Sequence, residues 1–440
     1  MLRKLISLSF FFIALFISYP ASAMLSLELT RGVAGAIPIA IAPFALQDNS
    51  STTDVSDIIT NDLQNSGRFK VYGRHALTVV PSSLAEVQSN YFHRLGADDL
   101  VIGKMKAVGA GRFQVSFQLI DIVNGQQTLS SQNVILNRSY TVSSDELRTL
   151  AHHISDLIYQ QLTGIRGIFS TKLAYVVVQR PDNAPAQYTL EVSDQDGYNP
   201  QPLLTSPDPI MSPAWSPNGK QLAYVSFENQ RASIYIQNVE NGSRYLLSQF
   251  PGINGAPAWS PNGKKIAVVL SKSGSPNIYV MDIGSHKLTQ YTNDWYINTE
   301  PAWSPDSRFL LFTSNRSGGP QIYQITLASG NVSRVSYEGD YNARPSFTSD
   351  GSRISFIHRE SEAYQIAIQD LDTSALRILT NAGKDNDSPS MAPNGSMILY
   401  DTIYNGRSVL AMVSTDGRVQ IRLPARNGEA QDPAWSPYIS

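Results

Sequence analysis

The chain of 440 residues contains no cysteine. A disulfide, a thiol nucleophile, a cysteine metal cluster and a lipidated cysteine are therefore all excluded, and stability has to come from packing. Charge is scarce as well: 16% of the residues are Asp, Glu, Lys or Arg, and the formal net charge is -2. No Lys/Arg run offers a local footprint for a phosphate backbone, so nucleic acid is not an expected partner. The one long apolar stretch, Leu5 to Tyr19, is 15 residues, short of the roughly 20 that a membrane-spanning helix needs. Arg3 and Lys4 precede it, and Pro20 and "ASA" follow, so residues 1–23 read as a signal peptide cleaved after Ala23. The mature chain is expected outside the cytoplasm.

What the chain has in quantity is a repeat. "PAWSPNGK" begins at Pro213, recurs unchanged at Pro257, and returns as "PAWSPDSR" at Pro301. The prolines Pro213, Pro257, Pro301, Pro345, Pro389 and Pro433 are each 44 residues apart. Ile234, Ile278, Ile322, Ile366 and Leu410 keep the same step, with Tyr235, Tyr279 and Tyr323 beside the first three. A period of this length with several short apolar runs per unit is the signature of propeller blades. Each unit reads as four strands: "PAWSP", a nearly continuous apolar run such as "QLAYVSF", an alternating run such as "ASIYIQNV", and a last run such as "RYLLSQF".

In "SPNG" the proline presets one turn dihedral, Asn suits the next position and Gly the last, so the motif joins the first two strands of a blade. Ser216 is then a turn residue and not a nucleophile, and the chain has no G-x-S-x-G elbow. The column Trp215, Trp259, Trp303, Phe347, Met391 and Trp435 is expected to pack between blades. Second-strand runs start near Lys172, Gln221, Lys265, Phe309, Arg353 and Met397. The first of them has no "PAWSP" ahead of it, and the last "PAWSP" has no run behind it. The two ends therefore complete one blade, which gives six blades closed by the C-terminal strand over 166–440. The segments just before each proline vary ("PIMS", "INGA", "INTE", "YNAR", "DNDS", "EAQD") and fall at one mouth of the ring, where binding on a regular scaffold is usually placed. Glu300, Asp387 and Asp432 approach the channel in this reading. "DNDS" at Asp385 resembles the start of a calcium loop but lacks the Gly and the distal Glu.

Residues 37–165 have a different texture. Ser143 and Glu146 suggest a capping box, followed by Leu147, Leu150, Ile154, Leu157, Ile158 and Leu162 on one helical face and closed by Gly164. Further helices are expected over Asp54 to Asn65 and Ser83 to Leu95, with strands at "IPIAIAPF", "LVIGKM", "FQVSFQLIDIV" and "TLSSQNVIL". Adjacent His152 and His153 point to different helix faces and make a poor metal pair. The fold class expected is an α/β N-terminal domain plus an all-β six-bladed β-propeller. Ahead of it, residues 24–36 ("MLSLELTRGVAGA") read either as the first strand of the domain or as a mobile arm that adds to a partner's sheet edge.

The order of signal peptide, α/β domain and six blades, with "LTGI" at Leu162, "VSDQDGYN" at Val192, "YVMD" at Tyr279 and the terminal "PAWSPY", closely resembles the TolB family, the periplasmic component of the Tol-Pal system of Gram-negative bacteria. The resemblance covers essentially the whole mature chain. It implies a periplasmic binding hub and not an enzyme, without a cofactor, although Ca2+ in the channel is left open. The propeller mouth would bind the peptidoglycan-associated lipoprotein Pal through Met211, Ile253, Asn254, Gly255, Ala256, Asn298, Thr299, Glu300 and Arg344. The arm would engage TolA through Leu25, Leu27, Glu28, Leu29 and Arg31. Other outer-membrane proteins and bacteriocins are further partners that the family implies, and its roles are outer-membrane integrity and constriction at division. Where the family can carry a histidine in the mouth loop, this chain has Ile253. The alternative reading is an exported receptor for a small ligand or glycan.

Overall fold

The computed structural model describes residues 26–29, 35–47, 53–122, 129–380, 385–424 and 426–439. The 1–23 leader, Leu25 and Arg31 lie outside them. The C-terminal part is a ring of six antiparallel sheets, each a four-stranded meander in its core. Its second strands begin at Lys172, Gln221, Lys265, Phe309, Arg353 and Met397, as the spacing requires. The "PAWSP" strands are innermost and touch one another in a closed circle. Blade 1 consists of Lys172–Gln179, Gln187–Asp194 and Gln201–Ser206 and is completed by Glu429–Trp435, which pairs antiparallel with Lys172–Gln179. Blades 2 to 6 follow in chain order, with innermost strands Ile210–Trp215, Asn254–Trp259, Asn298–Trp303, Tyr341–Phe347 and Asn386–Met391.

Local chemistry explains the repetition. In the first turn the N–H of Gly219 donates to Ser216 O at 2.9 Å, and Gly219 takes φ +70, which a residue without Cβ adopts at no cost. The Ser216 hydroxyl accepts the N–H of Gln221 at 2.9 Å, and Ser260 and Ser304 brace their turns the same way toward Lys265 and Phe309. These serines are structural. Each Trp of the repeat reaches back one blade: Nε1–H of Trp215 donates to Ala434 O at 3.1 Å, that of Trp259 to Ala214 O at 3.2 Å, and that of Trp303 to Ala258 O at 2.9 Å. Trp435 closes the series by donating to the Thr171 hydroxyl at 2.8 Å.

The N-terminal domain is a mixed sheet in the order Phe69–Tyr72, Ile37–Ile41, Asp99–Ala107, Arg112–Asp121, Val134–Ser143. Helices α1 (Val55–Asn65) and α3 (Leu147–Thr163) bury Ile59, Leu63, Leu150, Ile154 and Ile158 against one face. The short α2 (Ser89–Leu95) puts Phe92 on the other. Asp54 caps α1 by accepting from the N–H groups of Ser56 and Asp57.

Five expectations change, the first being "TLSSQNVIL", where Ser131–Asn133 is a 3-10 turn and the strand runs Val134–Ser143. The segment Ser83 to Leu95 is not one helix but a 3-10 turn at Leu84–Glu86 followed by α2, because no side chain caps α2 and Val87 between them is extended. The Ser143–Glu146 pair forms without starting a helix: the Glu146 carboxylate accepts both the N–H and the hydroxyl of Ser143, and α3 begins only at Leu147. The strand Phe69–Tyr72 was not foreseen, being short and carrying Lys70. Of the N-terminal arm, the described segment Ser26–Leu29 joins a sheet other than that of the α/β domain. Ser26–Leu29 pairs antiparallel with Val419–Arg422 and adds a fifth strand to blade 6 of its own propeller.

Removing Gln431–Ser440 strips blade 1 of its innermost strand, so thermal unfolding monitored by tryptophan fluorescence should lose its cooperative propeller transition. Trp435→Ala should lower stability by roughly 3–5 kcal/mol in chemical denaturation, the usual cost of deleting a buried large aromatic.

Candidate site at the propeller mouth

Every innermost strand carries the same irregularity. The pairing with its neighbour slips between Met211 and Ala214, Gly255 and Ala258, Thr299 and Ala302, Ala343 and Ser346, Asp387 and Ser390, and Gln431 and Ala434. At each slip the residue before the proline has positive φ: Ser212 (52°), Ala256 (44°), Glu300 (54°), Arg344 (52°), Ser388 (53°) and Asp432 (49°). This conformation costs a non-glycine residue about 1 kcal/mol or more, and bulges of this kind re-aim side chains. Here they turn six residues toward the axis. These six, together with Thr299 and the six prolines, line a cavity of 370 Å³ at the mouth.

Arg344 holds that ring together electrostatically. Its Nε donates to Glu300 Oε1 at 3.2 Å and lies 3.5 Å from Asp387 Oδ1, and its Nη1 donates to Asp432 Oδ1 at 3.0 Å and to the Ser388 hydroxyl. Its own N–H donates to Glu300 Oε2 at 2.9 Å. Burial works against the guanidinium charge, but Asp432, Asp387 and Glu300 outweigh it and push the Arg344 pKa up. Behind the ring Asp401 accepts the N–H of Asp432 at 3.0 Å. Burial first, then the charges of Asp387 and Asp432, raise the Asp401 pKa to about 7. These acids have the oxygen chemistry that Ca2+ takes. Three of them, Glu300, Asp387 and Asp432, already pair with the Arg344 guanidinium.

The expected mouth residues separate into two groups. Ala256, Thr299, Glu300 and Arg344 line the cavity, and Ile253 is exposed on the rim. Gly255 is partly buried, and Met211 packs against the core cluster between blades 2 and 3. Asn254 and Asn298, also expected at the mouth, are buried with their side chains engaged inside the fold. Asn254 accepts from the Ser248 hydroxyl and Phe250 N–H, and its amide donates to Phe250 O at 2.6 Å. Asn298 donates to Asn277 Oδ1 at 3.0 Å and Asp294 Oδ1 at 2.6 Å, and accepts from Arg316 at 2.8 Å. Asn342 and Asn386 continue this buried asparagine belt in the next two blades. Of the arm residues, Leu27, Glu28 and Leu29 lie in the strand on blade 6.

Sequence reasoning passed over Ser212 and Ser388, although the pre-proline column named their positions. It also missed Trp295, which is 90% exposed at the tip of the loop leading into blade 4, beside exposed Tyr296 and Ile297. The loop is held rigid at its base, where Asp294 accepts from Asn298, from Arg316 at 3.1 Å and from Tyr296 N–H at 3.2 Å. Ile253 and Tyr337 are likewise exposed, in the loops ahead of the innermost strands of blades 3 and 5.

Two measurements check this electrostatic and structural reading. The folded pKa of Asp401 is raised above the ordinary carboxyl value of 3.8 to about 7, so the folded state holds the extra proton and stability falls as pH rises from about 4 to about 7. Asp401→Asn should abolish that decline, and its unfolding midpoint at pH 8 should exceed that of the parent. Asn298→Ala takes one hydrogen-bond partner from buried Asn277 and from the partly buried Asp294 and Arg316, and should cost about 1–3 kcal/mol by urea unfolding.

Comparison with known proteins agrees with the architecture. The model of the TolB amino-terminal domain matches residues 25–128, and that of the TolB beta propeller domain matches residues 159–439. The chain is 57% identical over 416 residues to the Tol-Pal system protein TolB of Legionella pneumophila (strain Philadelphia 1), covering 94% of this chain and 96% of that protein. Identity to the Tol-Pal system protein TolB of Coxiella burnetii is 52% over 248 residues, 56% of this chain and 55% of that one. The crystal structure of TolB from Acinetobacter baumannii superposes with a TM-score of 0.84 at 39% identity, covering 94% of this chain and all (100%) of that one. Among the described residues no helix is long and apolar enough to cross a membrane. The chain belongs to the TolB family of Tol-Pal system proteins.

Proposed function

We propose that this protein is a periplasmic interaction hub of the Tol-Pal system which binds Pal at the propeller mouth and TolA through the N-terminal arm, in support of outer-membrane integrity and constriction at division. The observation that carries the reading is the mouth itself: a concave polar cavity lined by Arg344, with Trp295, Tyr296, Ile297 and Ile253 exposed on the loops that lead into the inner strands of blades 3 and 4. A polar centre that fixes orientation, beside large exposed aromatics, is the composition that protein interfaces favour. The work done there is binding: Arg344 is committed to carboxylates, which favours recognition of a partner's polar loop over acid-base chemistry. Bacteriocins and other outer-membrane proteins would compete for the same face.

Calorimetric titration with the soluble domain of Pal tests this. Ala256→Asp and Thr299→Arg, which place charge in the cavity lining, should abolish the heat of binding in variants that keep the parent's circular dichroism. Trp295→Ala should weaken binding roughly 30-fold or more, as loss of an interface anchor does. No heat with the parent protein would overturn the hub reading and favour a small-ligand receptor.

For the arm, the backbone pairing of Ser26–Leu29 with Val419–Arg422 supports a docked form in the absence of partners. Hydrogen exchange at Leu27 and Leu29 should quicken when Pal or TolA draws the arm away. Unchanged exchange with both partners present would remove the arm from the proposal.

A further inference from the structure

Away from the mouth, one buried histidine faces two domains at once. His152, on α3, is 3% exposed. Its Nδ1 lies 2.8 Å from Asp62 Oδ2 on α1, an oxygen that also accepts the Ser155 hydroxyl at 2.7 Å. Burial raises the Asp62 pKa against the pull of His152, so the two groups share one proton along this hydrogen bond. The other ring nitrogen, Nε2, is buried and has no hydrogen-bond partner among the described residues. It faces Oδ2 of Asp196, 4.0 Å away, in the turn between the blade 1 strands Gln187–Asp194 and Gln201–Ser206.

The surroundings count charge closely. From the propeller come Asp194 and Asp196, with Gln195 reaching Asp62 Oδ1 at 3.5 Å. From α3 comes Arg148, which donates to Asp194 at 2.8 Å and also binds Asp196, while Lys172 of blade 1 donates to Asp194 at 2.5 Å. Asp156, further along α3, faces the interdomain linker, where it accepts the N–H groups of Phe169 and Ser170. Three carboxylates (Asp62, Asp194 and Asp196) thus stand against two permanent cations (Arg148 and Lys172). A neutral His152 leaves the cluster one charge short and points a lone pair at a carboxylate. A proton on Nε2 balances the cluster and turns that repulsion into an attraction across the domain boundary.

We propose that His152 is a titratable latch between the two domains: protonated, it ties Asp62 of the α/β domain to Asp196 of the propeller, and deprotonated it lets the interface loosen. Burial opposes the imidazolium, but Asp62 and then Asp196 outweigh it together with the repulsion from Arg148, so the His152 pKa lies above its ordinary value. The sign follows: the latch is fully closed below about pH 6.5, the value of an unperturbed histidine, and opens as pH rises through the higher folded value. The consequence reaches the arm, because Gly67, just beyond α1, sits so close to Val419 that any Cβ would collide with its side chain. Val419 is paired with Leu29.

The cysteine-free chain allows a direct test. Spin labels at Lys106→Cys in the α/β domain and Lys287→Cys in the propeller, both exposed positions, report the interdomain distance by double electron resonance in the full-length protein. At pH 5.5 the distance distribution should be narrow, and at pH 8.5 it should broaden. In the His152→Gln background it should be the same at both pH values. In Asp196→Asn the midpoint of the change, and of the His152 ring-proton signal in NMR, should fall by at least one pH unit, a tenfold loss of proton affinity. Identical parent distributions at pH 5.5 and 8.5, a pH response that survives in His152→Gln, or an unmoved midpoint in Asp196→Asn would each overturn the latch. Should His152→Gln fail to fold, the Asp196→Asn arm decides alone.

Discussion

The ring stands or falls on a pairing between residues very distant in the chain: Lys172 N–H donates to the Ser436 hydroxyl across 264 positions, within the strand pair that completes blade 1. Until that pair forms, five blades can stack on nearest neighbours, but the first and last sheets keep open edges. Closing so long a loop is slow and entropically expensive, and the return is that no inner strand is left unpaired. The tryptophans distribute the gain. The indoles of Trp215, Trp259 and Trp303 each donate to the inner strand of the blade before, so closing the ring also satisfies Trp215 through Ala434. A local loss at the C-terminus is therefore felt around the circle.

The closed ring makes the mouth. Six bulges at one height turn six side chains inward, and since identical backbone at each position leaves chemistry to side-chain choice, a regular scaffold acquires an irregular site: two serines, an alanine, a glutamate, an aspartate and an arginine. Arg344 bridges acids from three blades and so braces the ring from inside while presenting the cavity's one cation among its lining residues. The asparagine belt does the opposite work. Asn254, Asn298, Asn342 and Asn386 take the same step as the repeat, yet they spend their amides inside the fold and hold the loops that carry the rim.

Between the domains the design differs again. Packing there is joined by a charged cluster in which burial raises the Asp62 pKa and the surrounding acids raise that of His152. Charge of this kind gives little net stability, but it makes the contact conditional, because removing one proton leaves a carboxylate facing a lone pair.

The repeat step by itself determined the blade count, the strand starts, the turn serines and the closing strand, because all of these are set by period and by turn chemistry that is local in the chain. Ala256, Thr299, Glu300 and Arg344 were legible for the same reason: they precede prolines whose place in the ring follows from the count. Tertiary structure alone decided which neighbouring residues face the axis, since the left-handed bulge that turns Glu300 inward also leaves Asn298 buried. It alone paired Ser26–Leu29 with Val419–Arg422, an edge nearly the whole chain away. And it alone brought His152 to Asp196: composition can name the acids and the histidine, but only the packing of two domains sets a ring nitrogen 4.0 Å from a carboxylate.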